Sequence, residues 1–275
     1  MASTTEQPGP DAWARMAPGF RYASYPVTVD AGEQAEKLGF CDIDPALYGD
    51  WVDITHFAGE AILAAGRSGL SINGNVHVSQ SYRLSAPIGL GEGLTIEGEV
   101  TALTPAPRGR MVDSSFRFRR PDSTVPLVAD RESLRLDPAA DGGGRKLGAR
   151  PAEDPRSRME LLAVKQLRPE AVAAYSSQGG NLIHSDPATA RRFGFRAPIA
   201  GGVMVSRYCM EALWRDGPVR ELEMQVRFRR PMFWDERLEV WGRRGGNGRL
   251  KAINVVNADG KPAVTCQVAR VLHDA

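Results

Sequence analysis

The sequence has few cysteines, no long apolar run and no excess of either charge. Its three cysteines are far apart and form no Cys-x-x-Cys pair, which argues against a zinc site and favours buried thiols in a reducing compartment. No run of about 18 apolar residues occurs, so we expect no transmembrane helix. The 35 basic and 33 acidic residues nearly cancel, which argues against a nucleic-acid-binding protein with its marked basic excess.

The first ten residues also lack the apolar segment of a signal peptide. They read MASTTEQPGP, and we expect residues 1–10 to be disordered and the protein to be cytoplasmic. The chain as a whole has an ordinary globular composition, with 42% hydrophobic and 25% charged residues. Its 275 residues are enough for two modules of ordinary size.

An internal repeat organises the chain. The segment YRLSAPIGLGEGLTIEG (82–98) aligns with VRFRRPMFWDERLEVWG (226–242) at a constant offset of 144 residues. Each copy predicts a strand, a proline-marked bend and a second strand. Apolar residues at helical spacing precede each copy, from Ile54 to Ala65 and from Val205 to Leu213. Two further strands are predicted after each copy, at 110–119 and 126–136 in the first half and at 249–257 and 262–272 in the second.

This order of elements predicts an α+β fold in which one helix packs against one curved antiparallel sheet, twice over. We expect modules at 11–136 and 159–273, separated by a Pro- and Gly-rich linker at 137–158. The two sheets can pair at their edges, which would remove exposed edge strands.

The segment SSQGGNLIHSDPATARRFGFRAPIAGGVM (176–204) resembles the hydratase motif of the MaoC-like acyl dehydratases, which have a double hotdog fold. These enzymes reversibly add water to 2-enoyl thioesters. The residues that match the motif are Ser177, Asn181, Ile183, His184, Asp186, Pro187, Ala190, Gly194, Phe195, Pro198, Ile199 and Gly202. The resemblance implies a double hotdog whose first half is degenerate and shapes the acyl tunnel.

The chain departs from the motif at two functional positions. The catalytic Asp of the motif falls on Gly179, and the His of its final His-Gly-Met falls on Gly201. The usual acid/base pair is therefore incomplete, and loss of one member of such a unit normally costs orders of magnitude in rate. We expect ordinary hydratase activity to be weak unless another acid replaces the missing one.

The resemblance assigns catalytic roles to His184, Gly202 and Asn181. His184 would be the base, because imidazole titrates near neutral pH. The Gly202 N–H, at the start of a helix, would point at the thioester oxygen, although close packing also explains a glycine there. Asn181 could bind water or the turn backbone. Substrate-binding positions by the same resemblance are Gly179, Ser177, Gly201 and Val203.

Other polar residues admit both structural and functional interpretations. Asp186 before Pro187 is typical of a helix cap, and less so of a relocated acid. His56, with Glu60 one turn later, is interpreted as a rim position on its helix, the alternative being a carboxylate–histidine pair that reaches the tunnel. His77 is expected to face solvent or the contact between the sheets. The arginines at strand ends could bind phosphates of coenzyme A or an acidic carrier protein, or simply be solvated; they are Arg117, Arg119, Arg120, Arg227, Arg229 and Arg230.

These features favour an enzyme that hydrates or dehydrates an acyl thioester with an altered catalytic pair. Two alternatives stay open, namely another reaction on the same scaffold (thioester hydrolysis, isomerisation or cyclisation) and a non-catalytic acyl-ligand binder. No metal or cofactor is expected. The expected partner is an acyl thioester or related small molecule, with no nucleic acid and no membrane, and a homodimer is compatible with the resemblance.

Overall fold

A computed structural model describes residues 13, 16–72, 74–137, 154–177 and 180–274. The expected disordered start (1–10) and most of the expected linker lie outside the described residues, and so does Gly179.

The named elements in the described part of the first half are five strands and two helices. Their bounds are β1 Tyr25–Val27, α1 Ala31–Gly39, α2 His56–Arg67, β2 Asn75–Leu84, β3 Leu94–Ala106, β4 Gly109–Arg119 and β5 Leu127–Leu136. The second half contains β6 Glu160–Gln166, α3 Pro169–Tyr175, α4 Pro187–Arg192, α5 Gly202–Trp214, β7 Val219–Phe228, β8 Arg237–Arg244, β9 Leu250–Val256 and β10 Pro262–His273. Short 3-10 turns occur at Pro45–Leu47 and Leu182–His184. Among the described residues, no helix is both long and apolar enough to cross a membrane.

The ten described strands form one antiparallel sheet in the order β1-β3-β4-β5-β2-β7-β10-β9-β8-β6. The halves join where β2 pairs with β7, which is the edge pairing that the repeat predicts. Ser81 lies opposite Gln225, its own equivalent at the offset of 144 residues, so the approximate two-fold axis of the repeat passes between these residues. Edge pairing gives the inner strand of each half a partner and leaves β1 and β6 at the outer edges.

The two long helices pack into one hydrophobic core with the inward residues of both half-sheets. In α2 the predicted apolar stripe is buried at Phe57, Ala58 and Ala61, whereas Ile54 is buried just before the helix begins. In α5 every residue from Val203 to Trp214 is buried, so this helix is a central core element.

A buried ion pair links the two halves. Arg207 of α5 donates through Nη1 to Oδ2 of Asp53, just before α2, at 2.7 Å, and through Nε to the Tyr175 hydroxyl at 2.9 Å. The Arg207 and Asp53 side chains are 1% and 0% exposed. Asp53 Oδ1 also accepts hydrogen bonds from the backbone and hydroxyl of Thr55, which fixes the start of α2.

Candidate functional site

A cavity of about 360 Å³ lies between the halves and is lined by residues of both. We call it the shared cavity. The second half contributes the loop from Asn181 to His184 and the first turn of α5, and the first half contributes α1, α2 and the beginning of β2. The catalytic candidates from the sequence analysis, His184, Gly202 and Asn181, all line this cavity. We therefore take the shared cavity as the candidate active site.

The loop that carries His184 is held by the short helix after it. Asp186 caps α4, accepting from Ala188 N at 3.2 Å, Thr189 N at 2.8 Å and Thr189 Oγ1 at 2.5 Å. These hydrogen bonds lower the pKa of Asp186, as expected of a carboxylate at a helix start. The helix ends before Gly194, whose φ of +84° suits glycine. The interpretation of Asp186 as a cap is confirmed.

His184 is oriented by one hydrogen bond. Its Nδ1 lies 2.7 Å from the Ile199 carbonyl oxygen, and a carbonyl oxygen only accepts, so Nδ1 carries the hydrogen. In the neutral ring, Nε2 therefore presents a lone pair. Burial lowers the pKa of His184 and outweighs the opposite effect of the Ile199 hydrogen bond, so the ring is neutral at pH 7. A neutral imidazole with a free Nε2 can accept a proton.

The glycine pair at the start of α5 has two different constraints. A Cβ on Gly202 would lie 2.9 Å from the Phe228 ring, so close packing by itself requires glycine there. A Cβ on Gly201 would lie 3.6 Å from Ser176 Oγ and 3.8 Å from His184 Cε1, which are ordinary contacts. The position of the motif histidine is therefore next to His184. Gly202 begins the helix at the cavity wall, where amide N–H groups have no intrahelical partner.

The other predicted residues of the second half divide between the cavity and the surface. Asn181 and Val203 line the cavity, and Asn181 Oδ1 is buried without a hydrogen-bond partner among the described residues. Ser177 does not line the cavity, because its exposed hydroxyl donates to the Ala174 carbonyl oxygen at 2.8 Å. Its neighbour Ser176 lines the cavity instead.

His56 is not on an exposed rim, and our favoured interpretation of it was wrong. It is 7% exposed and lines the shared cavity. Its Nε2 lies 3.7 Å from a carboxylate oxygen of Glu33 on α1 and 3.7 Å from one of Glu60 on α2. Burial acts to raise the pKa of Glu60, but the neighbouring His56 and the hydrogen bond donated by the Tyr25 hydroxyl lower it overall. The carboxylate–histidine arrangement thus reaches the cavity from the first half.

His77 also lines the cavity and does not face solvent. Its two ring nitrogens are shielded from solvent, and its ring centroid lies 4.7 Å from that of Phe228. Burial, assisted by the charge of Arg131, lowers the pKa of His77 well below its ordinary value. The ring is therefore neutral at pH 7.

Comparisons with known proteins agree on the fold. HtdX from Mycobacterium tuberculosis superimposes with a TM-score of 0.71 at 21% identity, covering 91% of this chain and 100% of that one. A MaoC-like dehydratase from Phytophthora capsici gives 0.67 at 18% identity, covering 92% and 96%. A conserved M. tuberculosis protein described as a double hotdog gives 0.58 at 12% identity, covering 93% and 96%. The chain has the double hotdog fold. No family model matches the sequence, and no curated protein matches it.

The arginines at the strand ends differ between the two halves in whether they form ion pairs. In the first half, Arg119 and Arg120 are paired with Glu97 and Glu92, which agrees with a structural role. Arg229 and Arg230 in the second half are exposed at the cavity, together with Arg108, which the sequence analysis did not single out. We call Arg108, Arg229 and Arg230 the rim arginines. No carboxylate of the described residues forms an ion pair with any of them.

Proposed function

We propose that this double hotdog protein hydrates a 2-enoyl thioester, or dehydrates the corresponding 3-hydroxyacyl thioester, with an acid/base pair divided between its halves. The observation that carries the proposal is the presence of His184, the start of α5 and His56 around one cavity. The motif resemblance and the fold support the same reaction class, while the missing motif Asp requires a different proton donor.

The first step of hydration uses the second half. His184 Nε2 takes a proton from water, and the hydroxyl oxygen bonds to C3 of the enoyl group. The C2=C3 electron pair moves toward the thioester carbonyl, whose oxygen gains negative charge. Amide N–H groups at the start of α5 stabilise that charge, because the helix dipole makes this end positive. Asn181 Oδ1, which has no hydrogen-bond partner among the described residues, accepts the second hydrogen of the water and orients it.

The second step uses the first half. The enolate collapses, C2 receives a proton from His56, and the thioester carbonyl is restored. Glu33 and Glu60 flank His56 at ion-pair distance and hold the ring during transfer. The proton taken by His184 and the one given by His56 balance, so the substrate gains one water molecule. His184 then releases its proton to solvent and His56 takes one up, which restores both residues for the next turnover. Dehydration is the reverse.

The rim arginines support a phosphorylated carrier on the thioester. Three cations without acidic partners at the mouth of a cavity suit the phosphates of coenzyme A or of an acyl carrier protein. A substrate bound in this way has its acyl group in the cavity and its carrier outside.

A second candidate, thioester hydrolysis, is favoured by one observation. Glu60 lines the cavity from the first-half helix, and a carboxylate there can activate water for attack on the thioester carbonyl. Hydration and hydrolysis have different products, since only hydrolysis releases a free thiol.

The experiment incubates the protein with crotonyl-CoA and longer trans-2-enoyl-CoA thioesters and follows both the conjugated enone absorbance and free thiol. We expect loss of absorbance without thiol release. Thiol release would instead establish the hydrolase, and neither signal would identify a ligand binder. The variant Gly179→Asp restores the motif carboxylate and should increase the hydration rate. An unchanged rate would contradict the interpretation that the chain has lost the catalytic Asp of the motif.

A further inference from the structure

The inner face of the first half-sheet is polar where it borders the shared cavity. Arg131 of β5 lies opposite Gln80 of β2, and Ser133 lies opposite His77. Opposite residues of an antiparallel pair point to the same face. Arg131, Gln80 and Ser133 are only 8%, 0% and 4% exposed, and Arg131 and His77 line the cavity. A cation is therefore buried beside the space that receives the acyl group.

Arg131 has no acidic partner in the part of the chain that the structure describes. Its Nε is shielded from solvent and forms no hydrogen bond, and no carboxylate of the described residues forms an ion pair with it. Burial is the largest influence on the pKa of Arg131 and outweighs the opposite effect of Tyr22 and Tyr82. Burial lowers the pKa of Arg131 to about 10, so the guanidinium remains protonated at neutral pH.

The residues around Arg131 also have unused hydrogen-bonding atoms. Both ring nitrogens of His77 and Oε1 of Gln80 are buried without a hydrogen-bond partner among the described residues. Neutral His77 still has one N–H to donate. Buried polar atoms in folded proteins are normally satisfied, and a cluster of unsatisfied atoms around a buried cation indicates that an external group completes it.

We propose that Arg131, assisted by His77, binds a carboxylate on the acyl part of the substrate. The planar guanidinium can donate two parallel hydrogen bonds to a carboxylate. This inference rests on the proposed function for the thioester part of the ligand, and on Arg131 for the carboxylate. It makes the substrate an ω-carboxyacyl thioester, whereas a purely apolar tunnel would prefer a methyl end.

The test measures binding by isothermal titration calorimetry with saturated thioesters, which cannot be hydrated. Hexanoyl-CoA is compared with adipyl-CoA, and octanoyl-CoA with suberyl-CoA, because each pair differs at the terminal methyl or carboxylate. We expect the carboxylate to bind about 10- to 100-fold more tightly in at least one pair, the range for hydrogen bonds to charged groups. Arg131→Met should abolish this preference and leave the affinity for the methyl-ended thioester unchanged. Arg108→Met, at the rim, should weaken both members of a pair equally.

Stability separates a binding role from a structural one. Removing an unpaired buried charge should leave the melting temperature of Arg131→Met unchanged or higher. If this variant is less stable, Arg131 supports the fold and the proposal is overturned. If it cannot be purified, Arg131→Gln takes its place, and a preference retained in that variant also overturns the proposal.

Failure of the carboxylate site can be told apart from failure of the thioester function. No preference in the wild-type protein, or an equal preference in Arg131→Met, rejects the carboxylate site alone. If no thioester binds, the proposed function fails, and the site is then judged with free glutarate. Glutarate binding that Arg131→Met removes supports the site, and absence of glutarate binding to the wild type rejects it.

Discussion

The buried pair between Asp53 and Arg207 gives the sharpest prediction about stability. In Asp53→Asn the side chain keeps its shape, and its amide oxygen can still accept from Thr55. The anion opposite Arg207 is lost, however, and the guanidinium, at 1% exposure, keeps the Tyr175 hydroxyl as its one hydrogen-bond partner among the described residues. Breaking one side of a buried pair costs about 3–5 kcal/mol. Because the Tyr175 contact remains, we expect a loss of about 3 kcal/mol in the free energy of unfolding.

The assay is urea unfolding, extrapolated to zero denaturant. The matched control is Asp42→Asn, which breaks the bidentate ion pair between Asp42 and Arg168. The side chains of Arg168 and Asp42 are 44% and 45% exposed. That variant should lose less than about 1 kcal/mol. In the double variant Asp53→Asn/Arg207→Met neither member of the pair carries a charge, and this variant should be less destabilised than the sum of the single variants. A loss at Asp53 no larger than at Asp42, or strict additivity, would refute the reasoning.

Three further predictions concern the site. Gly202→Ala should lower the free energy of unfolding by about 1–3 kcal/mol, because the added methyl group would clash with the aromatic ring at the end of β7. Gly201→Ala should be nearly neutral. Equal effects of the two variants in urea unfolding would contradict the packing argument. Asp186→Asn should retain turnover and melt above Asp186→Ala, since Asn also caps helices, and a stable but inactive Asn variant would make Asp186 the missing acid. Burial lowers the pKa values of the neutral His77 and His184, so their contribution to stability is present above about pH 6.5 and is lost as the pH falls below it. Urea unfolding should show this loss of stability, and the loss should be smaller in His77→Phe. A free energy of unfolding that does not change with pH would contradict the lowered pKa values.

Local sequence patterns predicted much of the frame. Adding the offset of 144 residues to the bounds of β2 and β3 gives the bounds of β7 and the approximate start of β8. This prediction succeeds because apolar alternation and proline-marked bends are local signals. The Asp-Pro pair and the glycine after it likewise predicted the cap and end of α4.

The polar lining of the cavity depends on contacts that no local pattern contains. His56 lies beside Glu33 of α1, a helix that the sequence analysis did not identify. His77 lies next to a β-bulge, where the register shifts between His77 and Ser79 and strict alternation fails. The absence of an acidic partner for Arg131 could be established only with the surrounding strands in place.

The central claim is that His184 and His56 act in one reaction from opposite sides of the shared cavity. The most direct measurement is turnover of a 2-enoyl-CoA by His184→Ala, by His56→Gln and by the double variant, with circular dichroism as the check of folding. We expect each single variant to lose about 100-fold or more in kcat, and the double variant to lose little beyond the worse single one, because residues that act as a unit are not additive. A folded His56→Gln protein with wild-type turnover would contradict the account.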